Sequence, residues 1–214
     1  FETAEEYLSG RVADKLQTAE RYKQDFPDLI DYDKNIAALK EVQPAPIKAS
    51  DIAVRIGTSW IDKEIYKEFF CQLIDMPYYM RDGIELYYNK HDSSWRVDRT
   101  TSYAKNYRSM KITNVYGTSR ANAYRLFEDC LNQRFTQIYD TVLDEDGREK
   151  RVLNQSETVA AREKQNKIKE AFKDWIFTSP VRRDELETIY NRLFNQIRLP
   201  KYDGSYLKFP EMNP

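Results

Sequence analysis

Apolar positions in the first third of the chain recur at helical spacing. Thr3 followed by Glu6 makes a capping-box pattern. Leu8, Val12, Leu16 and Ala19 then fall on one face, so a helix is predicted over about 4–23, weakened by Gly10. Asp33 can cap a second short helix carrying Ile36, Leu39 and Val42, which Pro44 and Pro46 end within a linker from Gln43 to Ala49. Ile52, Val54 and Ile56 alternate and predict a short strand stopped by Gly57. Asp62 is placed to cap a helix over about 63–75, whose broad apolar face holds Ile65, Tyr66, Phe69, Phe70 and Leu73.

The middle of the chain changes period. Ile84–Tyr88 and Trp95–Val97 flank the polar run Asn89–Ser94 and predict a hairpin. Tyr107 to Val115 holds a third candidate strand with Met110 and Ile112 on one side. Gly117 permits a tight turn, and Thr118 or Ser119 can cap a helix over about 120–132 carrying Ala123, Tyr124, Phe127, Cys130 and Leu131. Ile138–Leu143 and Arg151–Leu153 predict a second hairpin, with Asp146-Gly147 suited to a two-residue turn. A long helix follows from Ser156 through Trp175 and Ile176 with Pro180 as its stop, and another holds Leu186, Ile189, Tyr190, Leu193, Phe194 and Ile197. The elements predict an α+β fold, mainly helical, with a small antiparallel sheet built from hairpins in the middle of the chain. The expected organisation is an N-terminal helical segment (1–43), an α+β module (50–200) and an extended tail (201–214).

Composition narrows the chemistry. Among 214 residues, 16 Tyr, 10 Phe and 3 Trp supply enough large apolar area to exclude wholesale disorder. The six Gly are too few for a Gly-rich nucleotide cradle, and neither G-x-x-x-x-G-K-[ST] nor G-x-G-x-x-G occurs. The single His, His91, sits at the predicted hairpin tip, where turn chemistry explains it better than catalysis. The two cysteines, Cys71 and Cys130, have no metal-ligand spacing and fit a reducing compartment, so no metal is expected. Asp75-Met76-Pro77-Tyr78 is similar to the Asp-Pro-Pro-Tyr loop of amino-methyltransferases, with Met in place of the first Pro. It lacks a donor-binding Gly-rich turn and closes a helical run, so a helix stop is its simpler reading. No apolar run approaches a membrane span and no signal peptide is visible, so no membrane partner is expected and the location expected is cytoplasmic. A start at Phe1 without Met and an end at Pro214 lead us to expect a piece of a larger protein.

A formal net charge of −1 makes no global case for nucleic acid, but residues 96–134 hold eight basic residues against three acidic ones, a local charge of +5. Basic residues interleaved with aromatic ones suit nucleic acid: cations neutralise phosphates and exposed rings stack on bases. The candidate nucleic-acid-binding residues are Arg99, Lys105, Arg108, Lys111, Arg120 and Arg125, with Tyr103 and Tyr107 as stacking rings. Thr118 and Ser119 are the candidate phosphate site at a helix start, where free N–H groups receive anions. The competing reading makes the charges a solvated sheet face, and Trp95 and half the tyrosines core.

The motifs in order resemble a known family. Tyr7-Leu8-Ser9-Gly10, Val42-Gln43-Pro44, Val54-Arg55-Ile56-Gly57, Trp60-Ile61, Tyr116-Gly117-Thr118, Asn122-Ala123-Tyr124, Val152-Leu153-Asn154, Tyr190-Asn191 and Tyr202-Asp203-Gly204-Ser205 carry the likeness. Together they are similar to the stretch between an N6-adenine methyltransferase domain and an SNF2-type helicase domain in large proteins of mobile elements and phages, including DarB-like antirestriction proteins. The resemblance implies a parent that uses S-adenosylmethionine, ATP and Mg at sites outside this stretch, with the tail leading towards the helicase domain. It implies a non-catalytic module with no cofactor of its own, contacting DNA or linking the flanking methyltransferase and helicase domains. The alternative it leaves open is a purely structural coupler without DNA contact.

Overall fold

In chain order the elements are α1 (Ala4–Tyr7), β1 (Gly10–Arg11), α2 (Val12–Asp25), α3 (Asp33–Glu41), α4 (Lys63–Leu73), β2 (Ile84–Asn89), β3 (Ser94–Arg99), α5 (Ser102–Asn106), α6 (Ala123–Leu131), β4 (Tyr139–Leu143), β5 (Glu149–Leu153), α7 (Gln155–Trp175), α8 (Pro180–Phe194) and β6 (Ile197–Arg198). The computed structural model describes residues 3–27, 32–143 and 145–201. Three two-stranded antiparallel sheets, β1–β6, β2–β3 and β4–β5, lie among these helices, so the fold is α+β as expected. The chain divides into two compact units, Phe1–Asp51 with Glu187–Pro214, and Ile52–Leu186. The extended tail expected for 201–214 falls, apart from Lys201, outside the described residues.

In the first unit the Thr3–Glu6 capping box forms as expected. The single helix predicted over 4–23 is instead two, because Gly10 adopts a left-handed φ of +73° and pairs with Arg198 in the β1–β6 ladder. Ala19, Ile36 and Leu39 join α2 to α3 in a small core. The linker after α3 is held by amide side chains: Asn191 Nδ2 donates to the Ile47 carbonyl at 2.9 Å, and its Oδ1 accepts from the Ile47 N–H at 2.8 Å.

The second unit is built on α4, α6 and α7. Asp62 caps α4, as its position predicts. Phe70 of α4 stacks on Phe127 of α6 at 4.3 Å between centroids, and Phe69 meets Phe172 of α7 edge-on at 5.1 Å. Each buried ring of this kind contributes roughly 1.5–3 kcal/mol by leaving water. The β2–β3 hairpin forms in the predicted place, with Ile84, Leu86 and Trp95 buried and His91 exposed at the tip. It docks on α6 through backbone: the Val97 N–H donates to Glu128 Oε2 and the Trp95 N–H to Asn132 Oδ1, each at 2.8 Å. That docking fixes Arg99, at the end of β3, beside the first turn of α6.

Several local expectations are corrected. The strand expected at Ile52–Ile56 does not form, because side chains take the place of a partner strand. The Gly57 carbonyl accepts from Trp95 Nε1 at 2.9 Å, its N–H donates to the Tyr66 hydroxyl, and Gln133 Nε2 donates to the Ile56 carbonyl. The third strand expected within 107–115 is a single π-helical turn, Lys111–Val115, closed by the Tyr116 N–H on the Lys111 carbonyl at 2.9 Å. The β4–β5 register pairs Leu143 with Glu149, so Asp146 and Gly147 belong to a longer connection than a two-residue turn. Pro180 begins α8, where its missing N–H costs nothing, rather than ending α7.

Candidate functional site

Four segments of the second unit wall a cleft of about 840 Å³: Arg99 from β3, Tyr107-Arg108, the turn from Ile112 to Asn122, and Glu157, Ala160 and Lys164 on one face of α7. Tyr124, from the first turn of α6, also lines it. Gly117 makes the turn possible, since a Cβ there would stand 2.1 Å from the Ile112 carbonyl oxygen and 3.0 Å from the Ala123 nitrogen. The cleft thus collects four cations, Arg99, Arg108, Arg120 and Lys164, against the carboxylate of Glu157.

The cations differ in what they already hold. Arg120 is bound to Asp140 at 2.8 Å and to the Tyr139 carbonyl at 2.9 Å. Arg120 first and Asn154 second hold the Asp140 carboxyl below its usual pKa. Lys164 donates to the Asn114 carbonyl. Arg99 and Arg108 have no carboxylate partner among the described residues. Each instead sends its Nη1 to the same acceptor, the Lys105 carbonyl at the end of α5, at 3.4 and 2.9 Å. Arg108 Nη1 also reaches the Tyr107 carbonyl at 3.1 Å. Two like charges are therefore tied to one oxygen, with most of their five donors each left for an outside acceptor.

Beneath Arg99 lies Tyr124. The Arg99 guanidinium sits over its ring, 4.8 Å from the centroid. Tyr124 is 6% exposed, and its hydroxyl is the one buried side-chain polar atom without a hydrogen-bond partner among the described residues. Burial pushes its pKa up to about 12, with Arg99 pulling the other way. A buried, unpaired hydroxyl costs roughly 1–3 kcal/mol. The two thiols have no such role: burial raises Cys71 to about 11 and Cys130 to about 12, so both stay protonated at neutral pH.

Of the ten residues singled out in the sequence, Arg99, Tyr107, Arg108, Thr118, Ser119 and Arg120 line this cleft. Lys105 lends it only a carbonyl. Lys111 is paired with Asp75 at 2.8 Å, and Arg125 Nη2 donates to the Gln137 carbonyl at 3.4 Å. Tyr103 lies outside, packed near Gly83. Tyr107 is half-buried, with its hydroxyl donating to the Asp75 carbonyl at 2.7 Å, so its ring is a wall rather than an open stacking surface. Thr118 and Ser119 are not at the helix start, because Asn122 caps α6 by accepting from the Arg125 N–H. Thr118 Oγ1 accepts from the N–H groups of Arg120 and Ala121 in a separate turn, which still faces the cleft. Sequence reasoning missed Tyr124 and Lys164.

Residues 55–196, nearly all of this unit and the following stretch of α8 that belongs to the first unit, match the family model described as "Domain of unknown function (DUF8437)". The chain belongs to the DUF8437 family. The match contains every wall of the cleft, so the site lies within the DUF8437 region. No curated protein and no solved structure matches the chain. No helix among the described residues is long and apolar enough to cross a membrane.

Proposed function

We propose that this DUF8437 chain is a non-catalytic, DNA-contacting module of a larger methyltransferase-helicase protein, and that the Arg99/Arg108 cleft receives backbone phosphates. The observation that carries the reading is the pair of guanidinium groups without carboxylate partners, sharing the Lys105 carbonyl, with Arg99 over the ring of Tyr124. A phosphate placed there neutralises two like charges and offers the oxygen acceptors that guanidinium groups bind in a fork. The sequence resemblance supports the wider context: flanking domains as partners, S-adenosylmethionine and ATP chemistry elsewhere in the parent, and a cytoplasmic location.

A purely structural coupler is the second reading. It is favoured by the β4–β5 hairpin, which leaves Val142 and Val152 exposed on one face and Leu143 and Leu153 exposed on the other. Titration with labelled DNA at low salt separates the two. The DNA reading expects dissociation constants of about 10⁻⁴–10⁻⁶ M that weaken steeply with salt. Arg99→Gln with Arg108→Gln flattens the salt slope by about one unit per lost phosphate contact. No binding by the parent, or parent-like binding by the variant, rejects the cleft and leaves the coupler.

A further inference from the structure

Beside the cleft, the 3₁₀ turn Tyr78–Gly83 holds two aromatic rings out in water: Tyr78 is 85% exposed and Tyr79 is 74% exposed. These are the two most exposed aromatic side chains among the described residues. The turn that carries them is fixed at both ends. The Met80 N–H donates to the Pro77 carbonyl at 2.9 Å, and Arg81 Nε donates to the Met76 carbonyl at 3.3 Å. Gly83 is buried so tightly that a Cβ there would stand 2.3 Å from Thr101 Oγ1. The Arg81 guanidinium lies 5.8 Å from the centroid of the Tyr78 ring. These rings are therefore presented by a braced turn, and their exposure is not that of a loose loop.

The turn is joined to the cleft wall. Tyr107, which lines the cleft next to Arg108, donates its hydroxyl to the carbonyl of Asp75, three residues before Tyr78. Lys111 ties the Asp75 carboxylate to the segment that continues into the cleft at Ile112. Tyr79 lies close enough to the Tyr107 hydroxyl to add to the upward shift of its pKa, whose main cause is burial. An aromatic platform thus adjoins a cationic cleft. Duplex DNA presents phosphates but keeps its base faces stacked inside, whereas a single strand presents both.

We propose that the ligand is single-stranded nucleic acid, with unpaired bases stacked on Tyr78 and Tyr79 and the adjoining phosphates in the Arg99/Arg108 cleft. The proposal rests on the phosphate reading of the cleft and adds strand preference to it. Base–aromatic stacking tolerates any sequence and is worth at least about fivefold in affinity per base.

The test is a set of titrations of the 214-residue chain with a labelled single strand of about 12 nucleotides and with the duplex of the same sequence, at one low salt concentration. The parent binds the single strand at least about fivefold more tightly. Tyr78→Ala with Tyr79→Ala removes at least that preference and leaves duplex affinity unchanged within about twofold, while Tyr78→Phe with Tyr79→Phe keeps it because stacking needs the ring and not the hydroxyl. Arg99→Gln with Arg108→Gln weakens both ligands together. Equal affinity of the parent for strand and duplex overturns strand preference and spares the cleft. So does an alanine variant that still prefers the single strand as the parent does, or one that loses both ligands alike. Absence of binding to either ligand overturns the cleft reading and this one with it.

Discussion

Two sides of the second unit provide for their polar groups in opposite ways. On the closed side, the Tyr66 hydroxyl accepts from the Gly57 N–H and donates to the Thr58 carbonyl, each at 3.0 Å. Arg182 is as well provided for. It lies 3.5 Å over Trp175, its Nε and Nη2 reach the Ile176 and Trp175 carbonyls at 2.8 and 2.7 Å, and Glu68 is 3.6 Å away. On the cleft side, the hydroxyl of Tyr124 has no hydrogen-bond partner among the described residues, and Arg99 and Arg108 share one carbonyl. The difference separates arginines and tyrosines whose polar atoms the fold matches from those whose donors it leaves unmatched. A count of basic and aromatic residues treats the two sets alike.

The largest effect that sharpens the contrast is expected at Arg182. Its removal by Arg182→Ala strands two carbonyls and bares one face of Trp175, at a cost of about 3 kcal/mol in urea unfolding. A loss below about 1 kcal/mol would mean that the closed side is no better satisfied than the cleft. Next come the two tyrosines. Tyr66→Phe orphans the Gly57 N–H and costs about 1–2 kcal/mol, whereas Tyr124→Phe removes a hydroxyl that already lacks a partner and is neutral or stabilising. Equal destabilisation by the two would break the comparison.

Much of the fold was legible because local rules carried it. Asp62 capped α4, and two strand-like runs, Ile84–Tyr88 and Trp95–Val97, flanking a polar turn located a hairpin. The misses share a physical cause, in that the deciding partner is distant in sequence or cannot be read from residue type. Gly10 turns because Arg198 pairs with it, and Ile56 needs no strand partner because Gln133 and Trp95 serve that stretch of backbone. The cleft was legible in part. The charge of residues 96–134 pointed to Arg99, Arg108 and Arg120, but Lys164 comes from α7, well beyond that run. Tyr124 was expected among the apolar positions of its helix, and it is indeed buried. No sequence pattern shows that its hydroxyl goes unmatched.

The smallest effect concerns His91, whose N–H donates to Asn89 Oδ1 at 3.0 Å at the exposed hairpin tip. His91→Asn is expected to change stability by less than about 0.5 kcal/mol and to leave nucleic-acid affinity unchanged. A larger loss in thermal unfolding would reveal a third kind of polar site, satisfied yet outside both the closed side and the cleft.

The most direct measurement follows the urea unfolding midpoint of the parent and of Arg99→Gln with Arg108→Gln, each with and without a saturating oligonucleotide. A ligand that binds only the folded chain raises the midpoint, by about 2.7 kcal/mol in stability at one hundred times its dissociation constant. If the two arginines serve a ligand and not the fold, parent and variant unfold together without oligonucleotide, and at the same oligonucleotide concentration the parent gains clearly more stability. A variant already destabilised without ligand, or one that gains as much as the parent, would contradict the account.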